Sequence, residues 1–350
     1  MKSNYLNSIK FILCILIICI HSSITVELSG INVTAETFPL FYYFQYFVCE
    51  ILSRIAVPLF FVISGYLFFP ADEPLDIKCY TNKLKRRVKS LIIPYICWNS
   101  IYIIIRVFEN LLHPISNSPL VWNWGALDYF YAFWSSPGGN TPIDGSLWYI
   151  KSLFLVFLFS PVIYYLLRKI GIWCLLLFGI CWFLGLEIPI ITTTAVFFVS
   201  IGAFIKIRKI QINGMRSFIG VKSIVLFILL SFVSILSVEK GIHQYINRLA
   251  ILSGMIAFIW LTEYAYKNNK LCIPEFMAES SFFIYAYHYK FVVAYIYVLT
   301  HLLPVPNSLI LFTIFFSSVV IFTFGGVIAY KLMRRYTPKL LSILTGGRIS

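Results

Sequence analysis

Apolar residues in this chain come in long runs rather than in alternation with polar ones. The runs fall at roughly 6–26, 40–69, 91–112, 147–167, 171–187, 190–205, 218–238, 247–266, 280–301 and 308–333. A helix of about 20 apolar residues crosses the hydrocarbon core of a bilayer, so each run predicts a spanning helix. The pattern therefore predicts an all-α fold: a polytopic integral membrane helix bundle of about ten transmembrane helices. The fifth and sixth runs, with Glu187 to Pro189 between them, are the shortest. The first run is too long for a signal peptide and no small-residue cleavage site follows it, so it reads as a retained helix.

Composition sharpens this picture. Hydrophobic residues make up 60% of the 350 and charged residues only 12%, about half the charged share of a soluble domain. The net charge of +14 is not spread in the way that a nucleic-acid surface requires. With the N-terminus inside, the inner loops hold Lys78, Lys83, Lys85, Arg86, Arg87 and Lys89, then Arg168 and Lys169, then Lys206, Arg208, Lys209 and Arg216. Lys267 and Lys270 follow, and Lys331, Arg334, Arg335, Lys339 and Arg348 end the series. The outer loops 27–39, 113–146, 186–189 and 302–307 hold no lysine or arginine, and only Lys240 breaks the rule. This positive-inside asymmetry puts both termini in the cytoplasm and makes the basic charge mostly a topology signal. The eight cysteines form no CxxC pair and no His/Cys spacing suited to a metal, so reduced cysteines and no metal site are expected. With no fused soluble segment in view, residues 1–350 read as a single integral-membrane domain.

Ionisable groups at membrane depth are costly, which makes each a functional candidate. Lys10 and His21 are eleven residues apart, about three turns plus 20°, so they share a face of the first helix about 16 Å apart along its axis. Lys10 either snorkels to the inner surface or faces a cavity. His21 is either a satisfied interfacial histidine or a neutral imidazole able to act as general base. In "VPLFFVISGYLFF" the Ser64-Gly65 pair breaks a bulky run and favours close helix packing. Glu50 with Arg54, and Arg106 with Glu109, either neutralise each other or line polar cavities. "KLKRRVKSLIIPYICW", Lys83 to Trp98, reads as a positive-inside anchor or as a phosphate cradle at the inner face. Trp148 and Tyr149 fit an interfacial aromatic belt, and the long loop before them carries Trp122, Trp124, Trp134, Asp128 and Asp144, which could stack on and bond to sugar rings. His288 and Lys290 lie well inside the ninth run, where anchoring does not account for them and a polar cavity does.

Taken in order, these segments resemble the membrane-bound acyltransferase 3 family, bacterial proteins that O-acylate cell-surface carbohydrates. The family's first helix typically reads L-D-x-x-R, ten residues, His; here it is Leu6-Asn7-Ser8-Ile9-Lys10, ten residues, His21. "PLFFVISGYLF", "RRVKSLIIPYICW", "SLWYIKSLFLVFLFSP" and "SSFFIYAYH" are similar to four later phrases, so the match runs from Leu6 to about His288. Two departures stand out: Lys10 replaces the family's arginine and Asn7 its aspartate. The R-x-x-R phrase appears as Arg86-x-x-Lys89 or Lys83-x-x-Arg86. Lysine keeps the charge and loses the bidentate fork.

The resemblance implies a membrane O-acyltransferase, with an O-acetyltransferase as the expected form, in the bacterial cytoplasmic (inner) membrane. It implies transfer from cytoplasmic acyl-CoA, with acetyl-CoA the expected donor, to a hydroxyl of a surface or exported glycan, and no tightly bound cofactor. His21 is expected as the general base and Lys10, Arg86 and Lys89 as donor-binding cations. Ser64, Trp148 and His288 are expected to line or orient the substrates. Membrane lipid is the other expected partner, and nucleic acid is not one. Two alternatives stay open on sequence: an exporter of exopolysaccharide or lipid-linked sugar, and a non-catalytic partner of a glycan synthase. The acyl group, the acceptor glycan and the oligomeric state are not encoded in any motif.

Overall fold

A computed structural model of the chain describes residues 3–71, 74–112, 120–135, 141–186, 190–211, 217–304 and 307–348. Glu187 to Pro189, Arg216 and residues 113–119 and 136–140 of the long loop before Asp144 lie outside the described residues. Everything regular within them is helical. Among the described residues, seven helices are long and apolar enough to cross a membrane, or eight if one bent pair is a single span. The seven are α1 (Ser3–His21), α2 (Pro39–Phe68), α3 (Ile77–Leu111), and, further along the chain, Ser217–Leu236, His243–Lys267, Ser281–Leu302 and Ser308–Tyr336. Between α3 and these lie α4 (Ala126–Trp134), α5 (Gly145–Leu158), α6 (Ser160–Lys169), α7 (Ile172–Leu184) and α8 (Thr193–Ile207). The later helices are α9 (Ser217–Leu236), α10 (His243–Lys267), α11 (Glu275–Glu279), α12 (Ser281–Leu302), α13 (Ser308–Tyr336) and α14 (Pro338–Thr345).

The fourth predicted run is not one straight helix. α5 and α6 meet at a bend of 63°, with Pro161 in the first turn of α6, where it lacks an N–H and its ring excludes a continued helix. The fifth and sixth runs are α7 and α8, of 13 and 15 residues. Prolines also shape α2 and α3. Wide π turns at Tyr46–Leu52 and Val88–Ile92 precede Pro58 and Pro94. The Pro94 ring would clash with the Ser90 carbonyl, which lies in the widened Val88–Ile92 turn that relieves it, whereas a short 3-10 turn at Ser53–Ile55 separates the other π turn from Pro58. The basic stretch before Val88 continues the helix as the amphipathic first turns of α3, with no buried residue from Ile77 to Arg87.

α1 is central. It contacts α2, α11, α12 and α13 and buries Ile9, Leu13, Cys14, Ile17 and Ile18. α2 and α8 form the tightest pair, because Gly65 lies against the Val199 carbonyl and Gly202 against the Val62 carbonyl. This is the small-residue contact by which helices approach without a hydrophobic driving force. α7, α9 and α13 turn apolar faces outward, with Trp173, Ile180, Phe218, Ile228, Phe232, Phe316 and Phe324 exposed. Lipid is the solvent that such faces fit.

Candidate functional site

At the end of the bundle where α1 begins, a cavity of about 550 Å³ opens between α1, α2, α3, α5, α11, α12 and the residues after α14. Its charged walls are Lys10, Arg87 and Arg348, with Glu275 and Glu279 on the other side. Glu279 is already paired with Arg334 at 2.7 Å. No described carboxylate lies within ion-pairing distance of Lys10, Arg87 or Arg348. Arg87 instead stacks its guanidinium 5.4 Å from the Phe157 ring and Arg348 lies 3.9 Å from the Phe282 ring. Three cations face one space and none of them is ion-paired; against them the cavity wall sets Glu275 and the already paired Glu279, so the positive charge is in excess and suits an anion.

Of the predicted donor residues, Lys10 lines this cavity and Arg86 and Lys89 do not; both are exposed. Helix geometry gives the reason. Arg86 and Lys89 lie three apart on one face of α3, while Arg87 and Leu91, four apart, share the face that turns inward and both line the cavity. Ser64 lines the cavity as expected and shares a hydrogen bond of 2.9 Å with the Tyr149 hydroxyl. Trp148 lies outside the wall, 6.2 Å from the Phe61 ring; its neighbour Tyr149 takes the place at the wall.

Tyr149 and Tyr285 line the cavity, and from them a series of packed rings runs to a histidine pair. Tyr149 and Tyr285 have ring centroids 6.0 Å apart, Tyr285 and His288 6.3 Å, and His288 and His21 5.2 Å. His21, the last residue of α1, also meets the Tyr289 ring edge-on at 4.8 Å. Lys10 and His21 thus sit at opposite ends of one line of polar groups, as their spacing on α1 implied. His288 is fully buried. Its Nδ1 lies 2.8 Å from the Tyr285 carbonyl and 3.2 Å from the Ile284 carbonyl. A carbonyl can only accept, so Nδ1 carries the proton and Nε2 a lone pair. That Nε2 is buried with no hydrogen-bond partner. His21 is only half-buried, which leaves it open to an incoming group. Ser22, beside it, is already held by Ser318 at 2.8 Å and by the Ile18 carbonyl at 2.9 Å.

Asp144 lies in the loop before α5, in a segment that packs against Tyr285 and Tyr289. Its Oδ1 accepts from the Ser146 N–H and hydroxyl, its own N–H donates to Asn99 Oδ1, and its Oδ2 is buried without a partner. Burial pushes its carboxyl up to about 7, against the smaller opposing effect of the Ser146 hydrogen bonds. The next residue, Gly145, packs flush against the Tyr289 ring, and the Tyr285 hydroxyl donates to the Ser146 carbonyl. Lys290, by contrast, points away into an ion cluster, 3.1 Å from both Glu109 oxygens, with Arg106 at 3.3 Å. Glu50 and Arg54 likewise pair with each other at 2.6 Å. Mutual neutralisation is the reading that holds for both predicted pairs. Among the described residues no three His, Cys, Asp or Glu side chains converge to hold a metal.

Sequence reasoning missed Arg87, Arg348, Tyr285, Tyr289 and the depth of Asp144 as site residues. Signals existed for two of them: Arg87 is four residues before the apolar Leu91, and Tyr289 adjoins His288.

A family model described as "Acyltransferase domain" (Acyl_transf_3) matches residues 3–331. The "Succinoglycan biosynthesis protein ExoH" of Rhizobium meliloti (strain 1021) is 24% identical over 327 residues, covering 86% of this chain and 81% of that protein. No solved structure matches.

Proposed function

The chain belongs to this acyltransferase family, and from that premise we propose that it carries an acyl group from cytoplasmic acyl-CoA to a hydroxyl of a surface or exported carbohydrate. The enzyme is a multi-pass membrane acyltransferase; the donor, the acceptor and the base are the proposal. The observation that carries it is the unpaired cation cavity joined to a histidine pair through Tyr149 and Tyr285. The cations Lys10 and Arg87 would hold the donor phosphates at the cytoplasmic mouth, where the positive-inside pattern puts the basic end of the bundle. The acyl thioester would then reach inward between Tyr149 and Tyr285. The half-buried His21 takes the proton of the acceptor hydroxyl as its oxygen attacks the thioester carbonyl. The C–S bond breaks, and the imidazolium returns its proton to the departing thiolate, giving the ester and the free thiol. His288, its Nδ1–H fixed on backbone carbonyls, orients His21 or the substrates through its bare Nε2. The name of the Rhizobium meliloti relative supports a polysaccharide acceptor, and a bacterial inner-membrane location is part of the same proposal.

The test is His21→Ala beside His288→Ala, with surface-glycan acylation read by mass spectrometry at matched protein levels. General-base catalysis contributes about 10²–10⁴-fold, so His21→Ala should lose at least 100-fold. Normal acylation by His21→Ala removes the base assignment. Unchanged acylation in both variants, with glycan export lost, would favour an exporter instead.

A further inference from the structure

The third cation of the cavity comes from a part of the chain that no motif marked. α14 ends in two glycines with left-handed backbones, Gly346 at φ +64° and Gly347 at φ +77°. The Gly347 N–H closes the helix end on the Ser342 carbonyl at 2.8 Å and the Gly346 N–H on the Ile343 carbonyl at 3.2 Å. This is the reversal that glycine allows at a helix C-terminus. The hook is pressed onto α3: a Cβ on Gly346 would lie 2.7 Å from the Ser90 Cα and carbonyl oxygen. Trp98 Nε1 donates to the Leu344 carbonyl at 3.0 Å and fixes the end of α14 from the same helix. The turn carries the chain back into the bundle and sets Arg348 in the cavity wall.

We infer that Arg348 is a phosphate-binding residue, held by the Gly346–Gly347 hook so that its guanidinium joins Lys10 and Arg87 around the phosphate group of the cavity's ligand. Its orientation is fixed from two sides: Nη1 donates to the Thr345 carbonyl at 2.7 Å and the Phe282 ring stacks at 3.9 Å. A guanidinium has five N–H donors in a planar fork, and the Thr345 carbonyl takes one. Burial, with the like charge of Arg87 beside it, pulls this guanidinium down to about 10. A bound dianion relieves that repulsion, and a fork matches phosphate oxygens two at a time. Lys10, with a single ammonium, cannot supply that geometry, so Arg348 provides the bidentate contact that position 10 lacks. The apolar walls, Phe60, Ile63, Leu67 and Phe282, suit a ligand that carries an uncharged portion beside its phosphate. A CoA thioester and an anionic lipid share that chemistry. The inference rests on the donor reading only in taking CoA as the first of the two.

The experiment uses the full chain in phosphatidylcholine nanodiscs, titrated with CoA by calorimetry, for wild type, Arg348→Gln, Arg348→Lys and Lys85→Gln. Lys85→Gln removes one exposed charge outside the cavity and serves as the control. A second arm replaces part of the phosphatidylcholine with phosphatidylglycerol and reads the shift in Tm. We expect Arg348→Gln to weaken CoA binding at least tenfold, Arg348→Lys to fall between, and Lys85→Gln to stay within twofold. Because Arg348→Lys keeps the charge and the stem, it stays informative if Arg348→Gln is poorly folded. CoA binding that is equal in wild type and in both Arg348 variants overturns the inference and leaves the donor reading standing. If wild type binds no CoA but phosphatidylglycerol raises its Tm only when Arg348 is present, the site stands and the donor reading fails. If neither probe depends on Arg348, the inference is overturned.

Discussion

The α2–α8 contact sets the wall of the cavity, and its tolerance can be worked out from two glycines. A Cβ at Gly202 would lie 2.0 Å from the Val62 carbonyl oxygen and 2.7 Å from the Tyr66 N, where ordinary contact begins at 3.4 Å. At Gly65 the nearest atom is the Val199 carbonyl oxygen, at 2.2 Å. All these atoms are backbone and cannot swing aside, so Gly202→Ala must part the helices by about 1.4 Å. Overpacking of a tight interior costs about 1–3 kcal/mol, and immovable backbone puts this case near the top of that range. Alanine returns about 1 kcal/mol of helix propensity, which leaves a net loss of about 2 kcal/mol. At about 2.1 cal/mol/K of unfolding entropy per residue, a chain of 350 residues shifts by about 1.4 °C per kcal/mol, so Tm in detergent should fall by about 3 °C. Gly325→Ala is the control, because nothing lies within 4 Å of its Cβ; it should be neutral or gain up to about 1 kcal/mol. Ser64, next to Gly65, should also be drawn away from Tyr149, so acyl transfer should fall with stability. If Gly202→Ala melts at or above the Gly325→Ala temperature, the close approach of α2 and α8 is wrong.

Other predictions address the site itself. Asp144 has a folded pKa raised to about 7 by burial, so the folded state binds its proton more tightly than the unfolded chain; stability should fall as pH rises from about 4 through 7. Asp144→Asn should flatten that decline in Tm between pH 5 and 8, and an identical decline in the variant would rule the residue out as its source. Lys10→Arg should preserve or raise activity whereas Lys10→Gln should raise the acyl-CoA KM; equal kinetics in all three forms return Lys10 to a snorkelling role. Ser64→Ala should cost about 1 kcal/mol in thermal unfolding and Tyr149→Phe somewhat more, since its hydroxyl also donates to the Phe60 carbonyl at 3.3 Å; the double variant should cost no more than Tyr149→Phe alone if the 2.9 Å bond joins them.

Hydropathy located every apolar helix because lipid exposure writes itself into composition, residue by residue, but among the described residues seven helices are long enough to cross, eight if the bent pair is one span, and the fifth and sixth runs are shorter apolar helices. It could not show that the run at 147–167 bends by 63°, although Pro161 marks the place, since a broken span and a straight one have the same hydropathy. Nor could it extend α3 back to Ile77, because a basic amphipathic helix and a basic loop obey the same positive-inside rule. The pairing of Lys10 and His21 on one face was legible, since both lie on one helix and 100° per residue fixes their relation. What each faces was not. The choice of Arg87 over Arg86 depends on which face of α3 packs inward, and Leu91 decides that only once neighbours exist. The meeting of His21 with His288 joins the first helix to the twelfth, and Arg348 reaches Lys10 from the far end of the chain; no local pattern carries either contact. Gly346-Gly347 was the one local sign that the last helix turns back.

The deep charges of this protein separate into two kinds, and the separation is itself an argument about function. Glu50 with Arg54, Glu109 with Arg106 and Lys290, Glu263 with Lys267, and Glu279 with Arg334 are neutralised by one another. Such pairs lower the cost of holding charge near lipid and ask for nothing further. Lys10, Arg87 and Arg348 face one cavity with no carboxylate partner, and His288 Nε2 is buried with none either. A fold selected for stability alone would have paired these groups or replaced them with apolar ones, because each costs free energy as it stands. They also lie along one path, from the cavity past Tyr149 and Tyr285 to His21. A ligand with an anionic head and a reactive far end offsets the cost at both places at once. A ligand that met only the cations would leave the histidine pair unexplained, and one that met only the histidines would leave the three cations without an ion-pair partner.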